Sequence, residues 1–219
     1  MKTVQRTDTK AETLWVIVKF AYYFLALPFL IIMAPITLIG AFGHTMSKPD
    51  EEFYAFTFGV WAALIIPLSI RHFVKLSRRR RLDKMVALLS RPDRFSPQKQ
   101  HQVMDVGDGK YFGIDTRHGT LLYIHRVKKD VIDVIGLSMK DWTRRQLEGS
   151  ALRLYTRMPD MPVLSIHAHP SVARVLFDTL DAMSHNHYDD PFPDAWPEYV
   201  KQQSRFIEFE HDVVVPQVA

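Results

Sequence analysis

The residues that could do chemistry are histidines and a few acids. Ten histidines occur in the chain, and two pairs stand one residue apart, His167-x-His169 and His185-x-His187. On a strand that spacing puts two imidazoles on one face, an arrangement zinc could use. No carboxylate or cysteine stands at a spacing that would complete the site, so no metal is expected. Asp115 and His118 have the residue types of a hydrolytic pair, but they border the turn Arg117-His118-Gly119, where both types are common. There is no Gly-x-Ser-x-Gly elbow, phosphate loop or dinucleotide fingerprint. The absence of cysteine excludes disulfides, thiolate metal sites, iron–sulfur clusters and a thiol nucleophile. A non-enzymatic protein without cofactors is expected.

The elements that carry these residues divide the chain in two. Over 219 residues the composition is 47% hydrophobic, and the mean hydropathy of −0.09 hides a split. Apolar residues crowd the first third, while the remainder reads like a soluble domain. The net charge of +4 suits either nucleic acid or an anionic membrane surface. The position of the charges decides between them.

From Phe20 to Gly43, 24 residues carry no charged side chain, and from Phe53 to Ile70 another 18 carry none. About 20 such residues span a bilayer core. Pro28, Pro35 and Pro67 are tolerated in such helices, whose neighbours re-satisfy the freed carbonyls. Tyr22, Tyr23, Tyr54 and Trp61 are available as interface anchors. A cleaved signal peptide is the rival for the first run, but that run is too long and Ala41-Phe42-Gly43 is a poor cleavage site. Lys2, Arg6, Lys10 and Lys19 precede the first run, against Asp8 and Glu12. The loop His44–Glu52 has one lysine against Asp50, Glu51 and Glu52. Arg71, Lys75, Arg78, Arg79, Arg80, Arg81 and Lys84 follow the second run, with only Asp83 opposing. The positive-inside rule then predicts a transmembrane hairpin with both termini cytoplasmic and the loop outside.

The run Arg78–Arg81 could read as a nucleic-acid patch. Just past a membrane helix, attraction to anionic headgroups is the simpler account, worth about 1 kcal/mol per residue. Membrane lipids are therefore expected partners, and nucleic acid is not. Phe73, Leu76, Met85, Val86, Leu88 and Leu89 predict that the helix continues to about Ser90, where Arg91-Pro92 stops it. The expected organisation is a hairpin with its basic helix over 1–90, a linker over 91–101, a β-rich domain over 102–186 and a tail over 187–219.

In the third region the period changes to two. Strands are predicted at Lys110–Thr116, Thr120–Arg126, Asp130–Met139, Asp141–Glu148, Ala151–Met158 and Pro162–His169, with a shorter one at Val103–Val106. Turns such as Gly107-Asp108-Gly109 and Glu148-Gly149-Ser150 separate them. His169-Pro170 then opens a helix whose Val172, Val175, Leu176, Thr179, Leu180 and Met183 recur at helical spacing. The fold class is α+β: a two-helix transmembrane hairpin, then a small antiparallel barrel or sandwich closed by a helix. The tail carries seven acidic side chains against Lys201 and Arg205, with the turn-like Trp196-Pro197-Glu198-Tyr199. It reads as a solvated tail, or as a docking segment whose aromatics meet the barrel or a partner.

Residues 110–183 resemble the pleckstrin-homology-like barrels of bacteria. The likeness lies in the order of Tyr111-Phe112-Gly113-Ile114-Asp115, a glycine turn, the strand ending Ile135-Gly136-Leu137-Ser138, Trp142, the Gly149-Ser150 turn and the closing helix. It implies a binding module. The whole chain, from Met1-Lys2-Thr3-Val4-Gln5-Arg6 through the hairpin to the tail, is similar to the entry-exclusion proteins of IncI-type conjugative plasmids. That resemblance implies an inner-membrane protein that blocks a second copy of its plasmid by recognising an inner-membrane protein of the donor conjugation apparatus. Trp142, Tyr155, Trp196 and Tyr199 are the candidate partner-binding residues. The expected topology leaves only Gly43–Glu52 outside, so the donor protein would reach across the membrane or be met within or below it. A membrane adaptor of a secretion machine and a lipid-sensing module are the alternatives.

Overall fold

A computed structural model describes residues 10–42, 51–128, 130–188 and 195–216. The flanking charges Lys2 and Arg6, most of the loop His44–Glu52 and the tail segment 189–194 lie outside the described residues. The chain forms two compact units, Met1–Val74 and Lys75–Ala219.

In the first unit α1 (Lys10–Ala21) passes through a π turn (Tyr22–Ala26) into α2 (Leu27–Phe42). Pro28 has no N–H to offer the carbonyl four residues back, at Phe24, and its ring crowds that carbonyl. The widened turn falls there. Helix α3 (Glu51–Leu89) begins with Glu51 and Glu52, where the helix dipole favours acid. The Tyr22 hydroxyl donates to the Ala63 carbonyl at 2.8 Å. A Cβ on Gly40 would come within 2.7 Å of the Phe53 ring. The Arg71 guanidinium lies 4.8 Å over the Tyr23 ring. These contacts join the early part of one helix to the later part of the other, as in an antiparallel pair. Both helices are long and apolar enough to cross a membrane.

Among the described residues the second unit holds seven strands: β1 (Gln102–Asp105), β2 (Lys110–Asp115), β3 (Thr120–Lys128), β4 (Val131–Ser138), β5 (Trp142–Glu148), β6 (Ala151–Thr156) and β7 (Val163–His167). They form two antiparallel sheets, β1-β2-β3-β4 and β5-β6-β7. Helix α4 (Pro170–Ser184) follows with proline at its start, as the sequence predicts, and α5 (Trp196–His211) comes last.

Of the expected barrel or sandwich, the strands form two separate antiparallel sheets and no closed barrel. The free edge of β4 is met at its start by Val214, which donates to the Asp130 carbonyl at 2.8 Å and accepts from the Ile132 N–H at 3.0 Å. At the other end Asp141 accepts from the Ser138 N–H and hydroxyl, both at 2.6 Å, and this turn leads the chain from β4 into β5.

The larger sheet is buried on both faces. On one face Tyr111, Leu122, Ile124, Ile132 and Val134 meet Leu82, Met85 and Leu89 of α3, Phe95, and Trp196, Tyr199, Val200 and Ile207 of α5. On the other, Phe112, Ile114, Leu121, Tyr123, Ile135 and Leu137 meet Leu152, Leu154, Leu164 and Ile166 of the smaller sheet and Leu176, Leu180 and Met183 of α4. Gly136 permits this layering: a Cβ there would lie 2.5 Å from a Val200 methyl and 3.0 Å from the Trp196 indole nitrogen.

Three readings of the sequence change. The linker around 91–101 is part of the core, with Phe95 wholly buried and stacked on Trp196 at 5.2 Å. The tail is not wholly solvated, because α5 lies against β4 through an apolar stripe that its acidic residues mask in the sequence. Val175 faces solvent at 44% exposure, and Ala173 takes the core position instead.

Candidate functional site

The basic residues after the second apolar run fall into two groups. Arg71, Lys75, Arg78, Arg79, Arg80 and Lys84 are exposed on α3. Arg79 pairs with Asp83 one turn on, at 4.0 Å. Arg81 is half-buried and donates to the main-chain carbonyl of His211. That carbonyl ends α5, where Asp212 turns left-handed at φ 48°, so Arg81 supplies positive charge to a helix C-terminus.

A further arginine, Arg126, joins this group from β3. Its N–H donates to the Gly109 carbonyl at 2.9 Å, and its Nε donates to the Lys128 carbonyl at 3.3 Å across a bulge. Partial burial, then the like charges of Arg78 and Arg81, push its pKa down, opposed by Asp130. Burial and the charges of Arg81 and Lys84 likewise hold His211 below the usual imidazole range, against Glu210. The end of α5, the end of β3 and residues 78–84 of α3 thus make one positively charged region within the second unit.

The four aromatic candidates separate by burial. Trp142, Trp196 and Tyr199 are core residues at 6%, 3% and 6% exposure. The Trp196 indole donates to the Leu121 carbonyl at 2.8 Å, and its ring stacks between Phe95 and Tyr199. Arg94 lies 4.6 Å over the Tyr199 ring. These three are placed to hold the unit together. Tyr155 is the half-buried one. It sits on the outer face of the smaller sheet, donates to the Gln146 side chain at 2.9 Å and lies under Arg144 at 6.0 Å. Register adds Arg153 and Val163 to that face, with Arg153 paired to Glu148 at 3.0 Å.

Asp115 and His118 do meet, at 2.8 Å. Asp115 is buried and also accepts from the Ser96 and Arg117 N–H groups at 2.8 Å each. It therefore ties residues 91–101 to the β2–β3 turn, with its oxygens engaged structurally. Among the described residues no group of three or more His, Cys, Asp or Glu could hold a metal ion. The concavity beside Tyr111, Tyr123 and His167 offers about 10 Å³, no more than one water needs.

The model of the exclusion-determining protein family matches residues 1–219, the whole chain. The chain belongs to the exclusion-determining protein family. No curated protein and no solved structure matches it. Membership supports a role in entry exclusion. For an exclusion-determining protein the residues of interest are surfaces, and sequence reasoning missed two of them. Arg126 is a lone basic residue in a strand, near Arg78 and Arg81 only through the fold. Arg144 and Arg153 could have been found from β5–β6 alternation, which puts them on the same face as Tyr155.

Proposed function

We propose that the chain is an inner-membrane entry-exclusion protein: the helical pair anchors it, and residues 75–219 recognise a membrane protein of the donor's conjugation apparatus and block redundant plasmid transfer. The observation that carries this reading is the exposed apolar surface of the helices. Phe24, Phe29, Ile32, Ile39 and Phe58 are 68%, 61%, 63%, 71% and 77% exposed. Soluble monomers rarely show contiguous apolar patches above a few hundred Å². Lipid is the solvent such a surface suits.

Lys10 and Lys19 precede the first run and the basic segment Arg71–Lys84 follows the second, which supports cytoplasmic termini. Neither apolar run carries a charge, so an anchor fits better than an ion or proton pathway. The anchor confines the second unit to the membrane where DNA must emerge, which raises its effective concentration. The outer face of β5–β7 offers Tyr155 with Arg144 and Arg153, residue types enriched at binding hot spots. Recognition without catalysis is what this surface supports.

The test is a mating assay with recipients that express only this chain. Transfer of the related plasmid should fall by orders of magnitude, and transfer of an unrelated plasmid should not change. Unchanged transfer of both, with subunits of a secretion machine co-purifying, would replace exclusion with the adaptor role.

A further inference from the structure

We infer that the outer face of α5 is a self-association surface, on which a second copy of this chain docks antiparallel with Phe206 and Phe209 at the contact. The face belongs wholly to the second unit. The inference rests on the proposed anchor only for the concentration that confinement in a membrane supplies.

Helix α5 has two apolar faces, and the chain covers only one. Trp196, Tyr199, Val200, Ser204 and Ile207 are buried. The opposite face carries Gln202, Arg205, Phe206 and Phe209, whose spacings of three and four residues make one exposed stripe. Phe206 is 63% exposed and Phe209 92%. Among the described residues of the second unit the next most exposed large apolar side chain is Val175, at 44%. A pair of copies would bury about 600–1,000 Å² of phenyl surface, below the roughly 1,200–2,000 Å² of a stable interface. Such a contact is weak in dilute solution and is populated where both chains are confined to one membrane.

Charge selects the occupant and its direction. Lys201, Arg205, Glu208 and Asp212 follow one another at spacings of four, three and four, so they flank the stripe on one side. Among the described residues neither Lys201 nor Arg205 pairs with a carboxylate of its own chain. Glu208 gives Oε1 to the Val215 N–H at 2.7 Å and keeps Oε2 for another donor. In an antiparallel pair with its two-fold axis between Phe206 and Ile207, Lys201 stands level with the second copy's Asp212, and Arg205 with the second copy's Glu208. The two-fold repeats both ion pairs. Phe206 then lies beside its own symmetry mate, and Phe209 enters the hole between the second copy's Gln202, Arg205 and Phe206. A parallel pair would instead set each charge level with its own copy. Anionic lipid would attract Lys201 and Arg205 but be repelled by Glu208, Glu210 and Asp212.

The chain has no cysteine, so single cysteines report the pairing. Membranes holding the full chain are treated with a mild oxidant. Phe206→Cys should give an interchain disulfide in several-fold excess over Val175→Cys, a collision control on the exposed side of α4. Gln202→Cys should stay at the control level, because its two copies would lie about 13 Å apart along the helices, beyond the reach of a disulfide. Added to Phe206→Cys, Arg205→Glu should lower crosslinking several-fold, and Arg205→Glu together with Glu208→Arg should restore it. Crosslinking of Phe206→Cys at the control level overturns the pair. Equal crosslinking of Gln202→Cys and Phe206→Cys overturns its direction. Control-level crosslinking with plasmid exclusion lost in Phe209→Ser assigns the face to the donor protein instead, and quenching of a bimane label on Phe209→Cys by lipid-borne nitroxides assigns it to lipid. Extraction of the natural chain by alkaline carbonate overturns the anchor alone, and the same crosslinks in the extracted chain then decide the pair.

Discussion

Residues 10–74 and residues 75–216 carry similar apolar side chains and dispose of them in opposite ways. In the first unit Phe20, Phe24, Ile32 and Ile39 point outward from helices that hold each other through few contacts. In the second, the same residue types close around a sheet covered on both faces. The two units suit different solvents, although the mean hydropathy of the whole chain is an ordinary −0.09. The difference also bears on where the proposed recognition would lie. An exposed apolar surface of Leu, Ile and Phe encodes little choice between partners, whereas the second unit leaves a polar and aromatic face open on β5–β7.

The comparison breaks most readily in the core of the second unit. Trp196→Ala should cost about 3–5 kcal/mol, the usual range for truncating a buried tryptophan. It also leaves the Leu121 carbonyl without its donor. A denaturant melt of the full chain in detergent measures this. An unchanged midpoint, with recognition lost, would return Trp196 to the partner surface.

The first unit should fail by a different route. Ile32→Asp places a charge mid-span, at about 3 kcal/mol against insertion. The variant should be extracted from membranes by alkaline carbonate, and its second unit should remain resistant to protease. Ile32→Leu should behave as the natural chain. Full insertion of the aspartate variant would mean that this face does not meet lipid.

How much of this was legible in the sequence depends on the range of the signal. The seven strands and α4 fall within about two residues of their predicted bounds, because glycine turns and period-two alternation are local. The meeting of Val214 with the start of β4 was not legible, since the two lie some 80 residues apart. Phe95 was missed as one apolar residue between Pro92 and Pro97. Helix α5 was missed because Pro197 and the acidic residues read as a turn, although Trp196, Val200, Ser204, Ile207 and His211 lie at spacings of three and four. On α4 the small Ala173 gave a weak apolar signal, and Val175 took its place in the expected stripe. The Arg126 cluster draws on α3 and β3, and no local pattern links them.

A smaller effect sharpens the view of the Arg81–His211 junction. The folded pKa of His211 lies below its unfolded value, so the unfolded chain takes up a proton more readily. Its contribution to stability is complete above about pH 6.5 and is lost as the pH falls through that value toward the folded pKa. Melts at pH 7.5 and 5.5 should therefore show a larger loss for the natural chain than for His211→Gln. Equal losses would contradict the neutral, half-buried histidine.

The central claim is that the first unit anchors and the second recognises. Its most direct test is a chimera in which residues 1–74 are replaced by an unrelated two-helix anchor of the same topology. The cut belongs at Val74 and Lys75, because Leu82, Met85 and Leu89 are part of the core of the second unit. Recipients expressing the chimera should exclude the same plasmid with the same preference over unrelated ones. Loss of exclusion, with the chimera folded and at natural level in the membrane, would contradict the claim and place recognition in the helices or the loop between them.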